Sequence, residues 1–130
     1  MTQPIISRIA IYLLSVVMIV FGIDHFLQPH SFLVFVPTNI PGGIVWVYVV
    51  GVAFILAALA FITNKFVKLA GYMLALLLFI FVLTIHLPNY RHAGDLEMKQ
   101  NALINLLKDT ALAAFALHIA GSADSHGVKY

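Results

Sequence analysis

The sequence predicts an all-α fold, an integral membrane antiparallel four-helix bundle. Hydrophobic residues make up 62% of the 130 residues and charged residues only 9%, whereas a typical soluble domain is about 45–50% apolar and about 25% charged. A soluble domain of this size has too high a surface-to-volume ratio to bury so much apolar surface. Four apolar segments follow one another along the chain, each close to the roughly 20 residues that cross the hydrocarbon core as a helix. We expect them to form a single transmembrane domain over residues 1–130.

The predicted spans cover residues 5–26, 44–62, 69–87 and 102–120. Helix is expected for each of them, because a single segment in lipid must satisfy its own backbone groups. The fourth segment carries Lys108 and Asp109 in its first half. It crosses the membrane if Lys108 extends its ammonium group to the headgroups and Asp109 faces protein.

The connections between the predicted helices differ in character. Residues 63–68 form a short basic turn, and residues 88–100 are expected to form one polar loop. Pro88 is expected to stop the third helix, because a proline disfavours helix in the residue before it. Small residues on three of the helices predict close helix packing, and they are Gly51, Ala53, Ala57, Ala58, Ala60, Ala70, Gly71, Ala75, Ala113, Ala114 and Ala116.

Four spans place both termini on one side of the membrane. The basic residues of that side are Arg8, Lys65, Lys68 and Lys129, and those of the other side are Arg91, Lys99 and Lys108. The first connection has no Lys or Arg at all. The positive-inside rule therefore predicts cytoplasmic termini.

Four crossings also bring polar side chains together at one membrane face. The candidates for ligand binding or proton handling there are Asp24, His25, His86, Asn105, Lys108 and Asp109. Asn101, Asn105 and Asp109 are four residues apart and share one face of the fourth helix. The small residues Ala113 and Ala116 continue that face, which predicts that it points inward.

Ionisable groups at membrane depth suggest function by default. Asp24 and Asp109 are therefore candidates, with the alternative that they pair with Arg91 or Lys108 and only anchor the helix ends. His25 and His86 are predicted to face each other across the first and third helices. They suit proton transfer, ligand hydrogen bonding or metal binding, and the alternative is that each is a structural histidine.

Several classes of function are disfavoured. The chain has no cysteine, which removes disulfides, thiolate metal sites and cysteine-ligated iron–sulfur clusters. No set of three or four ligands has the spacing of a metal site, so no metal is expected and haem is disfavoured. The net charge is only +2, and Lys and Arg are not clustered, so a nucleic acid partner is not expected.

The order and spacing of several short motifs resemble the DoxX family of small four-helix membrane proteins. They are Gly22-Ile23-Asp24-His25-Phe26, Pro29, Phe32, Val36-Pro37, Gly51, His86-Leu87-Pro88 and Asn105-Leu106-Leu107-Lys108-Asp109. The resemblance implies a multi-pass protein of the bacterial inner (cytoplasmic) membrane. It also implies a link to quinone-dependent sulfur-compound oxidation or to oxidative-stress complexes, as in some members of that family.

Three functions are compatible with these features. The leading hypothesis is an accessory subunit of a quinone-linked oxidoreductase system, without its own redox centre, that binds a quinone or lipid-like ligand near the polar cluster. The second is a non-enzymatic structural or assembly partner in a membrane complex. The third is a small proton-coupled transporter that uses Asp24 and Asp109 as a relay.

Overall fold

The computed structural model describes residues 4–123, and in them the apolar segments form long helices. Helix α1 is Ile5–Leu27, the short α2 is Pro29–Leu33, and α3 is Ile44–Thr63. The third span consists of α4 (Val67–Phe81), a π-helical segment (Val82–His86) and the short α5 (Leu87–Arg91). The last helix, α6, is Leu96–Gly121.

Four of these helical stretches are long and apolar enough to cross a membrane, and residues 4–123 contain no strand. Large apolar side chains cover the outside of the bundle; Leu13, Leu56 and Leu76, for example, are 57–63% exposed. A continuous apolar surface of this kind requires an apolar solvent. The predicted all-α four-helix membrane bundle is confirmed, and the protein is a multi-pass membrane protein.

Two closely packed helix pairs make up the bundle, the first being α1 with α3. Gly22 and Gly51 lie at the crossing of this pair. A Cβ atom on Gly22 would lie 2.9 Å from the Gly51 carbonyl oxygen, and one on Gly51 would lie 3.1 Å from the Gly22 carbonyl oxygen. The two backbones are therefore in contact, as small residues allow in membrane helices.

The second closely packed pair is α4 with α6. A Cβ atom on Gly71 would lie 2.8 Å from both the Ala116 carbonyl oxygen and the Ala120 Cβ atom. Apolar side chains from both pairs, including Met18, Phe61 and Leu78, fill the centre of the bundle.

The third span does not end at Leu87. The prediction that Pro88 stops this helix is wrong, because the helical backbone continues to Arg91. In an α-helix the proline ring would clash with the carbonyl group four residues earlier, that of Thr84. Thr84 lies in the π-helical segment, where the backbone makes wider turns with hydrogen bonds between residues five apart. The amide of Leu87 donates to the Val82 carbonyl in this way.

Helix α6 begins at Leu96, six residues before the predicted start of the fourth span. The side chain of Asp95 accepts a hydrogen bond of 2.8 Å from the Met98 amide. This is the N-cap arrangement, in which a short polar side chain satisfies an amide of the first turn. Residues 96–100 belong to the predicted polar loop of residues 88–100, but they form the exposed first turns of a capped helix.

Candidate functional site

A cavity of about 580 Å³ lies between the two helix pairs. It occupies the half of the bundle where α1 ends, α3 begins and the third span ends, beside the N-terminal half of α6. Its volume is within the range of about 300–1,000 Å³ that is usual for small-molecule sites. Its wall is mainly apolar and includes the aromatic side chains Phe21, Phe32, Phe35, Trp46, Phe54 and Phe81.

The connection between α1 and α3 covers one end of the cavity. Phe32, Pro37 and Ile40 from this connection are among the lining residues. The indole Nε1–H of Trp46 donates a hydrogen bond of 2.7 Å to the Pro41 carbonyl, which ties the end of the connection to the first turn of α3. The prolines of this stretch therefore belong to a cover over the polar cluster.

The polar end of the cavity is centred on a buried pair, His86 and Asp109. The Nε2 atom of His86 lies 2.9 Å from Oδ2 of Asp109, and the two side chains are only 9% and 8% exposed. The Lys108 Nζ atom lies 3.7 Å from Oδ1 of the same carboxylate, but the Lys108 side chain is 41% exposed. The pair joins the π-helical segment to α6, and Lys108 places a positive charge beside it.

The other ring nitrogen of His86, Nδ1, is buried and has no hydrogen-bond partner in the part of the chain that the structure describes. A buried polar atom without a partner costs about 1–3 kcal/mol. The ring also contacts Phe35 edge to face, with the centroids 5.9 Å apart. His86 lines the cavity, but Nδ1 itself is buried, so a further hydrogen-bonding group reaches this atom only if neighbouring side chains move.

His25 lines the same cavity from the opposite helix pair. Its Nδ1–H donates a hydrogen bond of 2.6 Å to the Phe21 carbonyl, because a carbonyl oxygen can only accept. The imidazole is stacked on Phe32 with the centroids 3.9 Å apart and meets Phe54 edge to face. These contacts hold the ring in one orientation.

Asn105 and Lys108 complete the polar end. Nζ of Lys108 donates to Oδ1 of Asn105 over 3.4 Å and lies 4.8 Å above the ring of Phe21. Both residues line the cavity. The contact between Lys108 and Phe21 links α6 to α1 at this end of the bundle.

Asp24 does not line the cavity. Its side chain is partly exposed, and it makes no hydrogen bond or ion pair with the residues 4–123. Neighbouring helix positions point about 100° apart, so the cavity-facing position of His25 turns Asp24 away. Five of the six predicted site residues thus meet at one cavity, and the proposed relay between Asp24 and Asp109 has one member outside it.

Asn101 was predicted to share the inward face of α6 with Asn105 and Asp109. Asn101 is exposed, so the shared face of α6 turns inward only from Asn105 onwards. Among residues 4–123, no three His, Asp or Glu side chains gather closely enough to hold a metal ion. Lys129, which was part of the charge count, lies outside the described residues.

The cavity opens sideways between α3 and the third span. Trp46, Val49 and Ile80 line it and are also 45–48% exposed on the outside of the bundle. Thr84 is a fourth lining residue that is exposed at this edge. In a membrane this edge faces lipid, so a lipid-phase molecule has a direct route to the polar end.

Sequence reasoning missed the aromatic part of this wall. The apolar pattern of the sequence does not distinguish Phe21, Phe54 and Phe81 from the other apolar residues of their helices. The one available signal is spacing, because Phe21 lies four residues before His25 and therefore shares its helix face.

Comparison with known proteins corrects the resemblance to the DoxX family. The family model that matches the chain, over residues 14–120, is a different one and describes a domain of unknown function, DUF8561. No curated protein and no solved structure matches the chain. The sulfur-oxidation and oxidative-stress links that the resemblance implied therefore lose their support. The match includes all cavity-lining residues, and the chain belongs to the DUF8561 family.

Proposed function

We propose that this membrane protein binds a quinone, or another lipid-like molecule with a small ring as its head group, in the cavity between its helix pairs. The observation that carries the proposal is the buried His86–Asp109 pair at the end of an aromatic cavity within the transmembrane bundle. Ionisable groups are costly at membrane depth unless they have a role. Ligand sites typically combine apolar walls with a few convergent polar groups.

The sideways opening supports a ligand from the lipid phase. An apolar tail can remain between α3 and the third span, beside Val49 and Ile80, while the head group reaches the polar end. The aromatic walls suit a flat ring, because aromatic rings pack favourably edge to face or with an offset. Lys108 and Asn105 would donate to an oxygen of the head group, and His25 would accept from a head-group hydroxyl in the reduced form.

In this proposal the protein is an accessory subunit that holds the ligand for an oxidoreductase in the same membrane. The partner would exchange electrons with the ligand, and the polar cluster would bind the head group or its proton. We expect such a partner to co-purify with the tagged chain after mild extraction of its native membrane. Co-purification of an assembly without an oxidoreductase would favour the structural or assembly role instead.

We also propose the bacterial inner membrane with cytoplasmic termini, which places the cavity near the non-cytoplasmic face. The connection that covers the cavity has no Lys or Arg, whereas Lys65 lies in the turn between α3 and α4 and Lys68 in the first turn of α4. This asymmetry follows the positive-inside rule. Reporter fusions at the C-terminus and within residues 34–43 test the orientation.

Ligand binding can be measured through Trp46, which is the only tryptophan in the chain and lines the cavity. A short-chain quinone is titrated into the full chain in nanodiscs, and quenching of the Trp46 fluorescence is followed. We expect saturable quenching, and we expect the same quinone class in lipid extracts of protein purified from its native membrane.

Quinone dissolved in the bilayer also quenches an exposed tryptophan, so a matched pair of variants is needed. Ala53→Phe fills the cavity, because Ala53 is one of its lining residues. Val52→Phe adds the same ring one position away, on the 46% exposed outer surface of α3. We expect Ala53→Phe to abolish the saturable component and Val52→Phe to retain it. Equal quenching in both variants contradicts the proposed function.

A further inference from the structure

We infer that the cavity prefers a ring that carries hydroxyl groups, such as a quinol or an alkylphenol, over the matching ring whose oxygens can only accept hydrogen bonds. This inference rests on the proposed function and specifies the chemical class of the ligand. The reason is that the protein already hydrogen-bonds one ring nitrogen of each histidine, His25 and His86. The other nitrogen of a neutral ring is then an acceptor.

The first acceptor is His25. Its Nδ1–H is committed to the Phe21 carbonyl, 2.6 Å away. A neutral imidazole has one donor nitrogen and one acceptor nitrogen, so Nε2 of this ring presents a lone pair. No residue from 4 to 123 hydrogen-bonds this nitrogen. Stacking on Phe32 prevents the ring from turning freely.

The second acceptor is His86, on the opposite helix pair. Its Nε2 lies 2.9 Å from the Asp109 carboxylate, which can only accept, so Nε2 carries the hydrogen. Nδ1 of the neutral ring is then an acceptor, and it is buried without a partner in the described part of the chain. A ligand hydroxyl reaches it only if neighbouring side chains move, so His25 is the acceptor that is directly available.

Donors lie on one side of the cavity only. The Lys108 ammonium and the Asn105 amide are on adjacent turns of α6 and contact each other. The hydroxyl of Thr84 is already used, since it donates to the Ile80 carbonyl over 2.6 Å. A ligand hydroxyl can donate to a histidine and accept from Lys108, whereas a carbonyl or ether oxygen can only accept. A site built around such a hydrogen bond discriminates against the analogue that lacks the donor.

The experiment compares a long-chain 4-alkylphenol with its methyl ether, two molecules of nearly the same shape. Equilibrium dialysis measures their binding to the full chain in nanodiscs, with empty nanodiscs as the blank. We expect the phenol to bind about three- to tenfold more tightly, the effect of one net hydrogen bond. An anaerobic quinol and its quinone should differ in the same direction.

Two variants show whether the histidines produce the preference. His25→Phe keeps an aromatic ring against Phe32 but removes the acceptor, and we expect the affinity ratio of phenol to ether to fall to about 1–2, since it removes one net hydrogen bond. His118→Phe is the matched control, because it makes the same substitution at an exposed position outside this cavity, and its ratio should equal that of the natural protein. A general loss of folding lowers both affinities and leaves the ratio unchanged.

Each result has a definite meaning. If both molecules bind equally to the natural protein, the preference is overturned and the proposed function stands. If neither binds above the empty-nanodisc blank, both are overturned. If the ratio survives in His25→Phe and in His86→Phe, the assignment of the two histidines as the acceptors is overturned.

Discussion

Removing His86 alone is expected to destabilise the bundle more than removing it together with Asp109. Removing the partner of a buried charge typically costs about 3–5 kcal/mol, and here the charge of the Asp109 carboxylate would stay buried without its hydrogen-bond donor. Here Lys108 lies 3.7 Å from the carboxylate but is partly exposed, so it compensates only in part. We expect His86→Phe to lower the free energy of unfolding by about 3 kcal/mol, near the low end of that range.

Asp109→Val is expected to cost about 1.5 kcal/mol, because it leaves a neutral imidazole with a second unpaired nitrogen. The double variant should cost about 1 kcal/mol or less, since apolar replacement of a whole buried pair is often neutral. The coupling energy of the cycle, the two single effects minus the double effect, is then about 3.5 kcal/mol. Side-chain hydrogen bonds between membrane helices average about 0.6 kcal/mol and reach about 1.7 kcal/mol, so a value well above this range indicates an ionised carboxylate.

The assay is equilibrium unfolding in mixed micelles with increasing sodium dodecyl sulfate, followed by Trp46 fluorescence. His118→Phe is the matched control, because His118 is exposed at the other end of the bundle; its effect should be within about 0.5 kcal/mol, as for an exposed surface position. A coupling energy below about 0.6 kcal/mol, with additive single effects, would refute the reasoning that His86 is the partner of a buried, ionised carboxylate.

The remaining predictions concern packing, capping and the cover of the cavity. Gly71→Ala should destabilise the bundle by about 1–3 kcal/mol through overpacking against α6. Gly121→Ala is the control and should not destabilise it, because no atom lies within 4 Å of the added Cβ. Thermal unfolding compares the two variants, and equal effects contradict the close packing. Asp95→Ala should cost about 1 kcal/mol by removing the N-cap, and unchanged thermal stability would rule out the capping role. Trp46→Phe removes the hydrogen bond to Pro41, so amides in residues 34–43 should exchange hydrogen faster, and unchanged exchange would show that this bond does not hold the cover.

The sequence was sufficient for the architecture because the physics of lipid leaves few choices. Each apolar segment has to be a helix, and four consecutive crossings force alternate ends to the same face. That argument alone brought His25, His86, Asn105, Lys108 and Asp109 to one end of the bundle, where the cavity lies.

The rotation of each helix about its axis could not be predicted in the same way. Helix α1 is apolar on almost every side, so hydrophobic periodicity does not tell which of the neighbours Asp24 and His25 faces inward. The packing of Gly22 against Gly51 decides it. The end of the third span was misjudged for a related reason, because the effect of Pro88 depends on the π-helical turn before it.

The π-helical segment also divides the third span into a part that packs against α6 and a part that directs His86 towards Asp109. Below it, the position of Gly71 is set by close packing against α6; beyond it, the direction of His86 is set by one additional residue in the turn. Deleting a single residue from this segment would rotate everything after it by about 100° and leave the packed half in place. The ligand chemistry of this bundle can therefore change among relatives by a one-residue insertion or deletion, without any redesign of the helix contacts that keep the protein folded.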